Sequence, residues 1–334
     1  MDRRKSRIDV QKVTNFGSKT PRSAYPNHMQ KYSYKQYCRG GFTLIELMVV
    51  VGILIILASI LIPTVSTAFR AARSKKDLTQ QRGIYQGMML HATGNASKFP
   101  MPSSIVDEKN PDPMLNTTSN LMSWMVMQRF FDFTYTVSPV ETNPNIRVIQ
   151  AEDGEFASDS FPYNYDMYDG SQYHWDPDFN ADYTEGPAHS SYAHQALVGQ
   201  RPRLKWHSGS TATDIIICNR GPELVVSPAE LSVVDQYPDS YRTSFTFDFH
   251  GPLEQWEGAA VLGDGSATML PSYVNNNITY VPLDGSNLRP DILFYPEFGD
   301  VDEANPMASG DNWIIVTSNI TDTFSENETL AIWD

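Results

Sequence analysis

The sequence predicts an α+β protein: a long N-terminal α-helix, with a transmembrane half and an amphipathic half, packed on a C-terminal antiparallel β-sheet head with many loops. Three observations predict this class. Residues 42–62 form an unbroken apolar run, and residues 64–92 carry apolar side chains at helical spacing. Residues 93–334 hold most of the 22 prolines and several short β-rich runs.

The charge is distributed unevenly along the chain. Residues 1–41 carry ten basic and two acidic residues, whereas residues 93–334 carry ten basic and 35 acidic ones. Because so acidic a surface repels phosphate, nucleic acid is not an expected partner. We expect four segments: a basic leader, a transmembrane helix, an amphipathic stem helix and an acidic globular head. Their boundaries are 1–41, 42–62, 63–93 and 94–334.

The apolar run has the length of a membrane span. A helix of these 21 residues would be roughly 31 Å long, close to the hydrocarbon thickness of a bilayer. The run is longer than the apolar core of a secretory signal peptide and lacks an A-x-A cleavage site. The basic residues Lys31, Lys35 and Arg39 precede it, which predicts a single-pass protein with a cytoplasmic N-terminus and an extracytoplasmic, periplasmic head.

Glu46 is the only charged residue in the apolar run. A carboxylate in a span costs several kcal/mol and usually marks a function. One interpretation is that Glu46 lies near the interface and reaches toward water. The other starts from residues 39–46, RGGFTLIE, which resemble the processing motif of type IV pilins and type II secretion pseudopilins.

The resemblance implies specific roles for four residues. A prepilin peptidase would cleave between Gly41 and Phe42, and the new amino group of Phe42 would be N-methylated. Glu46 would pair with the N-terminal ammonium of Phe42 on a neighbouring subunit, because buried charges are tolerated only when paired. Pro63 would kink the helix, as a proline commonly does in pilins. The implied partners are prepilin peptidase, other copies, other pilin-like subunits and inner-membrane lipid, and the implied assembly is a type II secretion pseudopilus or a type IV pilus-like filament.

The leader is long for this class of signal. A start at Met29 would give a leader of 13 residues, MQKYSYKQYCRGG, which has the ordinary basic character. Both starts remain open.

The stem helix is expected to continue past Pro63 and to end near Thr93-Gly94-Asn95, a length of about 51 residues. Its basic residues outnumber its single acid, Asp77. They suit either a solvated face near anionic headgroups or electrostatic docking against an acidic head, its own or a neighbour's. The expected apolar face comprises Val65, Ala68, Phe69, Ala72, Leu78, Ile84, Met88 and Met89.

The head is expected to begin with a short buried helix at Leu121–Phe131 and an extended segment at Thr134–Val137. Asp264-Gly265 between two β-rich runs predicts a hairpin. The strand candidates are Asp214–Cys218, Leu224–Val226, Arg242–His250, Ala259–Gly263, Ala267–Leu270 and Trp313–Thr317.

Two features of the head resemble large pilin-like proteins of planctomycete-type bacteria. They are residues 191–193, SYA, and His250 followed by Gly263-Asp264-Gly265. Thirteen residues separate His250 from Asp264, where the family pattern has nine, and Ser266 stands where a histidine is common.

The head shows no motif of an enzyme. Its histidines lack H-E-x-x-H spacing, and neither a G-x-S-x-G elbow nor a P-loop is present. Cys218, in an apolar run, is predicted to be a core residue, so no intrachain disulfide remains after cleavage. The sequence therefore predicts a structural subunit rather than an enzyme, without a cofactor other than a candidate calcium ion.

The candidate calcium segment has oxygen side chains at alternate positions, the spacing with which calcium loops begin. It departs from an EF-hand because Ala181 replaces the expected glycine and Pro187 is the twelfth residue. A solvated acidic loop is the other interpretation. The candidate ligands are Asp176, Asp178, Asn180, Asp182 and Glu185.

Aromatic residues are interleaved with acids in the same region, a composition that suits glycan binding or a small loop core. They are Phe161, Tyr163, Tyr165, Tyr168, Tyr173, Trp175, Phe179 and Tyr183. The alternative to a filament subunit is therefore a membrane-tethered binding module for a glycan or a protein, or a hydrolase, that uses a pilin-type signal for export.

Overall fold

The structure is a computed structural model with one long helix and a sheet-containing head, the predicted α+β class. The described residues are 41–150, 163–170, 173–184, 186–199, 201–224, 226–227, 232–233, 243–250, 255–281, 287–296, 311–320 and 329–333.

Helix α1 runs over Leu44–Gly94, a length of 51 residues, so the predicted length and end are confirmed. Pro63 lies inside the helix and does not end it. Next to it, the Thr64 hydroxyl donates to the carbonyl of Leu61 at 2.8 Å, which ties this turn to the preceding one. The chain separates into two compact units after Leu57.

The outer half of α1 packs on the head through a face that differs from the predicted one. Val65 and Phe69 are exposed, whereas the polar residues Asp77, Gln80 and Gln81 are buried. The apolar periodicity missed these polar residues because their partners come from distant parts of the chain. The buried stem residues are Asp77, Gln80, Gln81, Ile84, Tyr85, Gly87, Met88 and Ala92.

The described strands of the head are β1 Tyr192–Gln195, β2 Ile215–Asn219, β3 Val226–Ser227, β4 Ser232–Val233, β5 Gly258–Leu262, β6 Ala267–Leu270, β7 Val274–Tyr280, β8 Arg289–Ile292, β9 Ile314–Ile315, β10 Thr317–Ile320 and β11 Thr329–Ala331. Five of them form an antiparallel sheet in the order β6-β5-β2-β1-β9. Three further pairs, β3-β4, β7-β8 and β10-β11, are also antiparallel. The short helices are α2 Pro102–Val106, α3 Thr118–Met127 and α4 Arg201–Lys205.

The large sheet separates two hydrophobic clusters. On one side, Ile84 and Met88 of α1 pack with Tyr192 of β1, Ile217 of β2 and Val261 of β5. The second cluster is built around other side chains of the same strands and includes Trp256, Phe294 and Ile314. The sheet thereby holds the stem on one face and the C-terminal strands on the other.

Most of the predicted local structure is present. The Asp264-Gly265 hairpin joins β5 to β6, and Gly265 has a φ of +82°, which a glycine adopts without strain. Two predictions are wrong. The run predicted as a strand before His250 contains a 3₁₀ turn at Phe245–Asp248, and Arg242 lies outside the described residues.

The second wrong prediction is the extended segment at Thr134–Val137. This segment begins in a 3₁₀ turn at Phe133–Tyr135. In both turns a side chain just before the turn accepts a backbone hydrogen bond. Ser244 accepts from Thr246, and Asp132 accepts from Thr134. Such local caps overcome β propensity.

Candidate functional site

The predicted cleavage site lies in an exposed segment ahead of α1. Residues 41–43 precede the first helical residue, Leu44, and Phe42 is 77% exposed. Among the described residues, a Cβ atom added at Gly41 would meet no other atom within 4 Å. No described residue therefore covers the Gly41–Phe42 bond.

Glu46 caps the start of α1. Its Oε2 accepts from the backbone N–H of Thr43 at 2.9 Å and from the Thr43 hydroxyl at 2.8 Å. In return, the backbone N–H of Glu46 donates to Thr43 Oγ1 at 3.3 Å. This reciprocal arrangement is a capping box, which satisfies N–H groups that a helix start leaves without partners.

The sequence analysis missed the role of Thr43. The T-x-x-E spacing ahead of an apolar run is the signal that could have revealed it. The Glu46 carboxylate thus accepts from two donor groups of its own chain, both of Thr43.

The apolar side chains that follow are exposed. From Leu44 to Ile62 the large hydrophobic residues are between 45% and 76% exposed. Among the described residues, α1 alone is long and apolar enough to cross a membrane. An apolar surface of this extent needs lipid or other apolar helices around it.

Asp77 is the centre of a buried polar network between α1 and the head. Its Oδ1 accepts from the Ser138 hydroxyl and, at 2.8 Å, from the Tyr192 hydroxyl, while Oδ2 accepts from Gln81 Nε2 at 3.4 Å. Burial raises the pKa of Asp77, and the hydrogen bonds from Ser138 and Tyr192 oppose that rise. Without this carboxylate, the Ser138 hydroxyl and the Gln81 amide would lose this acceptor, and the Tyr192 hydroxyl would keep only Gln80 Oε1 at 3.4 Å.

His250 extends the network toward the membrane-proximal part of the stem. Its Nδ1 lies 2.8 Å from the Ser74 hydroxyl and its Nε2 lies 3.2 Å from Asn219 Oδ1. The Asp77 carboxylate is 3.8 Å from Nε2. Burial lowers the pKa of His250 to about 4, so the ring is neutral at physiological pH.

A serine, a histidine and an aspartate near one another raise the question of nucleophilic catalysis. The side chains of His250 and Asp77 are only 2% and 0% exposed. The Ser74 hydroxyl also lies within hydrogen-bond distance of the Arg70 carbonyl on its own helix. These buried side chains are therefore better explained as a structural contact between the head, through His250, and the stem, through Ser74 and Asp77.

The hairpin of β5 and β6 forms a second contact with the stem. The Tyr85 hydroxyl donates to the carbonyl of Gly263 at 2.7 Å, and a Cβ at Gly265 would lie 3.0 Å from the Tyr85 ring. The glycine favoured by the turn is thus also favoured by the close approach of the Tyr85 ring.

Three of the candidate calcium ligands, Asp176, Asn180 and Asp182, accept hydrogen bonds from their own chain. Asp176 is buried and accepts from the backbone N–H groups of Asn164 and Asp178. Asn180 accepts from Asp182 N–H, and Asp182 in turn accepts from Thr184.

Glu185 lies outside the described residues. Within the described ranges, no group of three or more His, Cys, Asp and Glu side chains converges as a metal site.

The aromatic residues of this region lie largely in the core. Tyr163, Phe179 and Tyr183 are buried, and the half-buried Tyr165 and Trp175 pack against the core. Of the other three, Tyr173 is half-buried, Tyr168 is exposed, and Phe161 lies outside the described residues. Most of the rings proposed for sugar binding are therefore occupied in packing. Cys218 is also buried, in β2, which confirms it as a core residue.

Comparison with known proteins identifies one feature. Residues 37–62 match the family model described as the prokaryotic N-terminal methylation motif. No curated protein and no solved structure matches the chain.

Proposed function

We propose that this pilin-like protein is cut after Gly41 and assembled into a filament. The premise is that residues 37–62 carry the prokaryotic N-terminal methylation motif, which is the signature of type IV pilins and pseudopilins. The filament would be a type II secretion pseudopilus or a type IV pilus-like fibre. The observation that carries the proposal is this motif, whose residues 44–62 form the exposed apolar start of α1.

The order of events follows from the sequence around the cleavage site. Prepilin peptidase hydrolyses the Gly41–Phe42 bond on the cytoplasmic side, and the new amino group of Phe42 is methylated. The apolar helix remains in the chain and anchors it in the inner membrane. The same helix later packs against the apolar helices of other subunits, so one surface serves both as anchor and as filament core.

Glu46 is suited to this sequence of events because its carboxylate can gain a second partner on assembly. Before assembly, the carboxylate is held by the backbone and hydroxyl of Thr43. In a filament, the carboxylate also meets the ammonium of a neighbour's Phe42. The capping box orients the carboxylate and thereby lowers the cost of forming that pair.

Processing is the direct test of the proposal. N-terminal sequencing of the exported protein is expected to begin with N-methylated Phe42. Gly41→Leu is expected to leave uncut precursor in the membrane, because the peptidase must admit a very small side chain before the bond, whereas Gly41→Ala is expected to be cut. A mature protein that starts elsewhere, or normal maturation of Gly41→Leu, would contradict the proposal.

We further propose that the head folds without a bound metal. Side-chain oxygens of Asp176, Asn180 and Asp182 already accept hydrogen bonds within the chain. Removing calcium is therefore expected to leave the melting temperature of the full chain unchanged. The measurement is thermal unfolding with excess chelator and again with added calcium. A rise in melting temperature with calcium that Asp178→Asn and Asp182→Asn abolish would instead establish a calcium site there.

A further inference from the structure

The part of α1 between the apolar run and the head carries an uncovered group of cations. We call residues 63–76 the neck. Its side chains are exposed apart from the half-buried Ser74, and the buried face of the stem begins only at Asp77. The neck has four basic residues and no acidic one. They are Arg70, Arg73, Lys75 and Lys76.

These four cations have no ion pair with any described residue of their own chain. The head does use ion pairs elsewhere, since Arg201 contacts Asp311 at 2.7 Å and Arg220 contacts Glu141 at 2.6 Å. The cations of the neck are therefore available to an external partner.

Lipid headgroups are too far away for the outer part of the neck. Lys75 and Lys76 lie 13 and 14 residues beyond Ile62, which corresponds to about 20 Å along a helix. The headgroup layer extends only about 5 to 8 Å beyond the hydrocarbon, and screening limits unpaired attraction to about 8 Å in physiological salt. Arg70 is close enough to contact phosphate, but the two lysines are not.

We propose that the neck is an interaction surface for the acidic head of a second copy of this chain. The chain itself supplies a partner of the right charge, because residues 93–334 carry 35 acidic and ten basic residues. Asp107, Glu108 and Asp248 are exposed carboxylates on this head. Parallel packing of the apolar helices, with each copy displaced along the filament axis relative to the next, would bring the head of one copy beside the neck of its neighbour.

This inference rests on the proposed assembly and names the surface that supports it. Surface ion pairs contribute little one at a time, but a run of four cations facing an acidic domain acts as a group. Contact between necks and heads would also counteract the repulsion among like-charged heads in one filament.

The test uses the full-length protein in membranes that contain the assembly machinery. Lys76 is replaced by the photoreactive residue p-benzoylphenylalanine, and the partner is identified after irradiation. We expect adducts of two copies in which the second attachment point lies within residues 93–334. Adducts with lipid alone, or with a protein of another sequence alone, would overturn the inference.

A charge reversal provides the second measurement. The quantity measured is the amount of chemically cross-linked oligomers of the full-length chain, which appear as a ladder of bands on a gel. Lys75→Glu with Lys76→Glu is expected to reduce these ladders about tenfold, since two attractive contacts become repulsive. The matched control, Lys98→Glu with Lys109→Glu, makes the same change in net charge at exposed positions of the head and is expected to retain the ladders.

The two proposals can fail separately. In one outcome, the wild-type chain is processed and forms ladders, and Lys75→Glu with Lys76→Glu forms them equally well. The neck is then not the interface, whereas the proposed assembly into a filament is supported. If the wild-type chain forms no ladders with the machinery present, the proposed function fails and the interface falls with it.

Discussion

Glu46→Ala is expected to abolish assembly while membrane insertion stays intact or becomes easier. Removing the carboxylate takes a charge out of the span, which favours insertion by up to a few kcal/mol. In the filament, however, the ammonium of Phe42 on the neighbouring copy would lose its buried partner. Breaking such a pair by removing one member typically costs about 3–5 kcal/mol, and the loss recurs at every subunit interface.

Glu46→Gln separates the charge from the helix cap. A glutamine at this position can still complete a capping box with Thr43, because the motif accepts Glu or Gln. If pairing with the ammonium drives assembly, both variants lose the cross-linked ladders of the wild type. If Glu46→Gln assembles normally and Glu46→Ala does not, the cap rather than the charge is what assembly requires.

The measurement is cross-linking of membranes in the presence of the secretion or pilus machinery. Insertion and processing of each variant are checked on the same samples by fractionation and by the size of the mature chain. Equal ladders from wild type and Glu46→Ala would show that the apolar helix alone drives association.

Asp77→Ala is expected to lower the free energy of unfolding of the head by about 3–5 kcal/mol. The hydroxyls of Ser138 and Tyr192 and the amide of Gln81 donate to this carboxylate inside the protein. The Ser138 hydroxyl and the Gln81 amide would lose this acceptor inside the protein, and the Tyr192 hydroxyl would keep only a long contact of 3.4 Å with Gln80 Oε1. Each lost hydrogen bond of this kind costs about 1–3 kcal/mol. The melting temperature of the full chain in detergent is expected to fall by about 10 °C.

Two milder variants keep this prediction testable if Asp77→Ala does not fold. Asp77→Asn retains an oxygen that can accept from Ser138 and Tyr192, so it is expected to be less destabilising than Asp77→Ala. Tyr192→Phe removes a single donor and is expected to cost about 1 kcal/mol. Glu108→Ala, at an exposed position, serves as the control. If Asp77→Ala melted with the control, the network would not be what holds the head on the stem.

Much of the secondary structure could be predicted because its causes are local. The hairpin at Asp264-Gly265 depends on two residues that tolerate a tight turn, and it is present with Gly265 at positive φ. The end of α1 was likewise visible, since Gly94 terminates the apolar spacing. The errors at Thr134–Val137 and before His250 arose where one serine or aspartate cap replaced an extended conformation by a turn.

The processing motif and the apolar helix lie in one continuous stretch of residues, so the sequence alone revealed the N-terminal methylation motif, and the match over residues 37–62 confirms that motif. The contacts of the stem could be decided only by the tertiary structure. Asp77 obtains its partners from Ser138 and Tyr192, which lie 61 and 115 residues away. No periodicity encodes such a meeting, because burying a carboxylate is favourable only after the sheet has brought its donors to the helix.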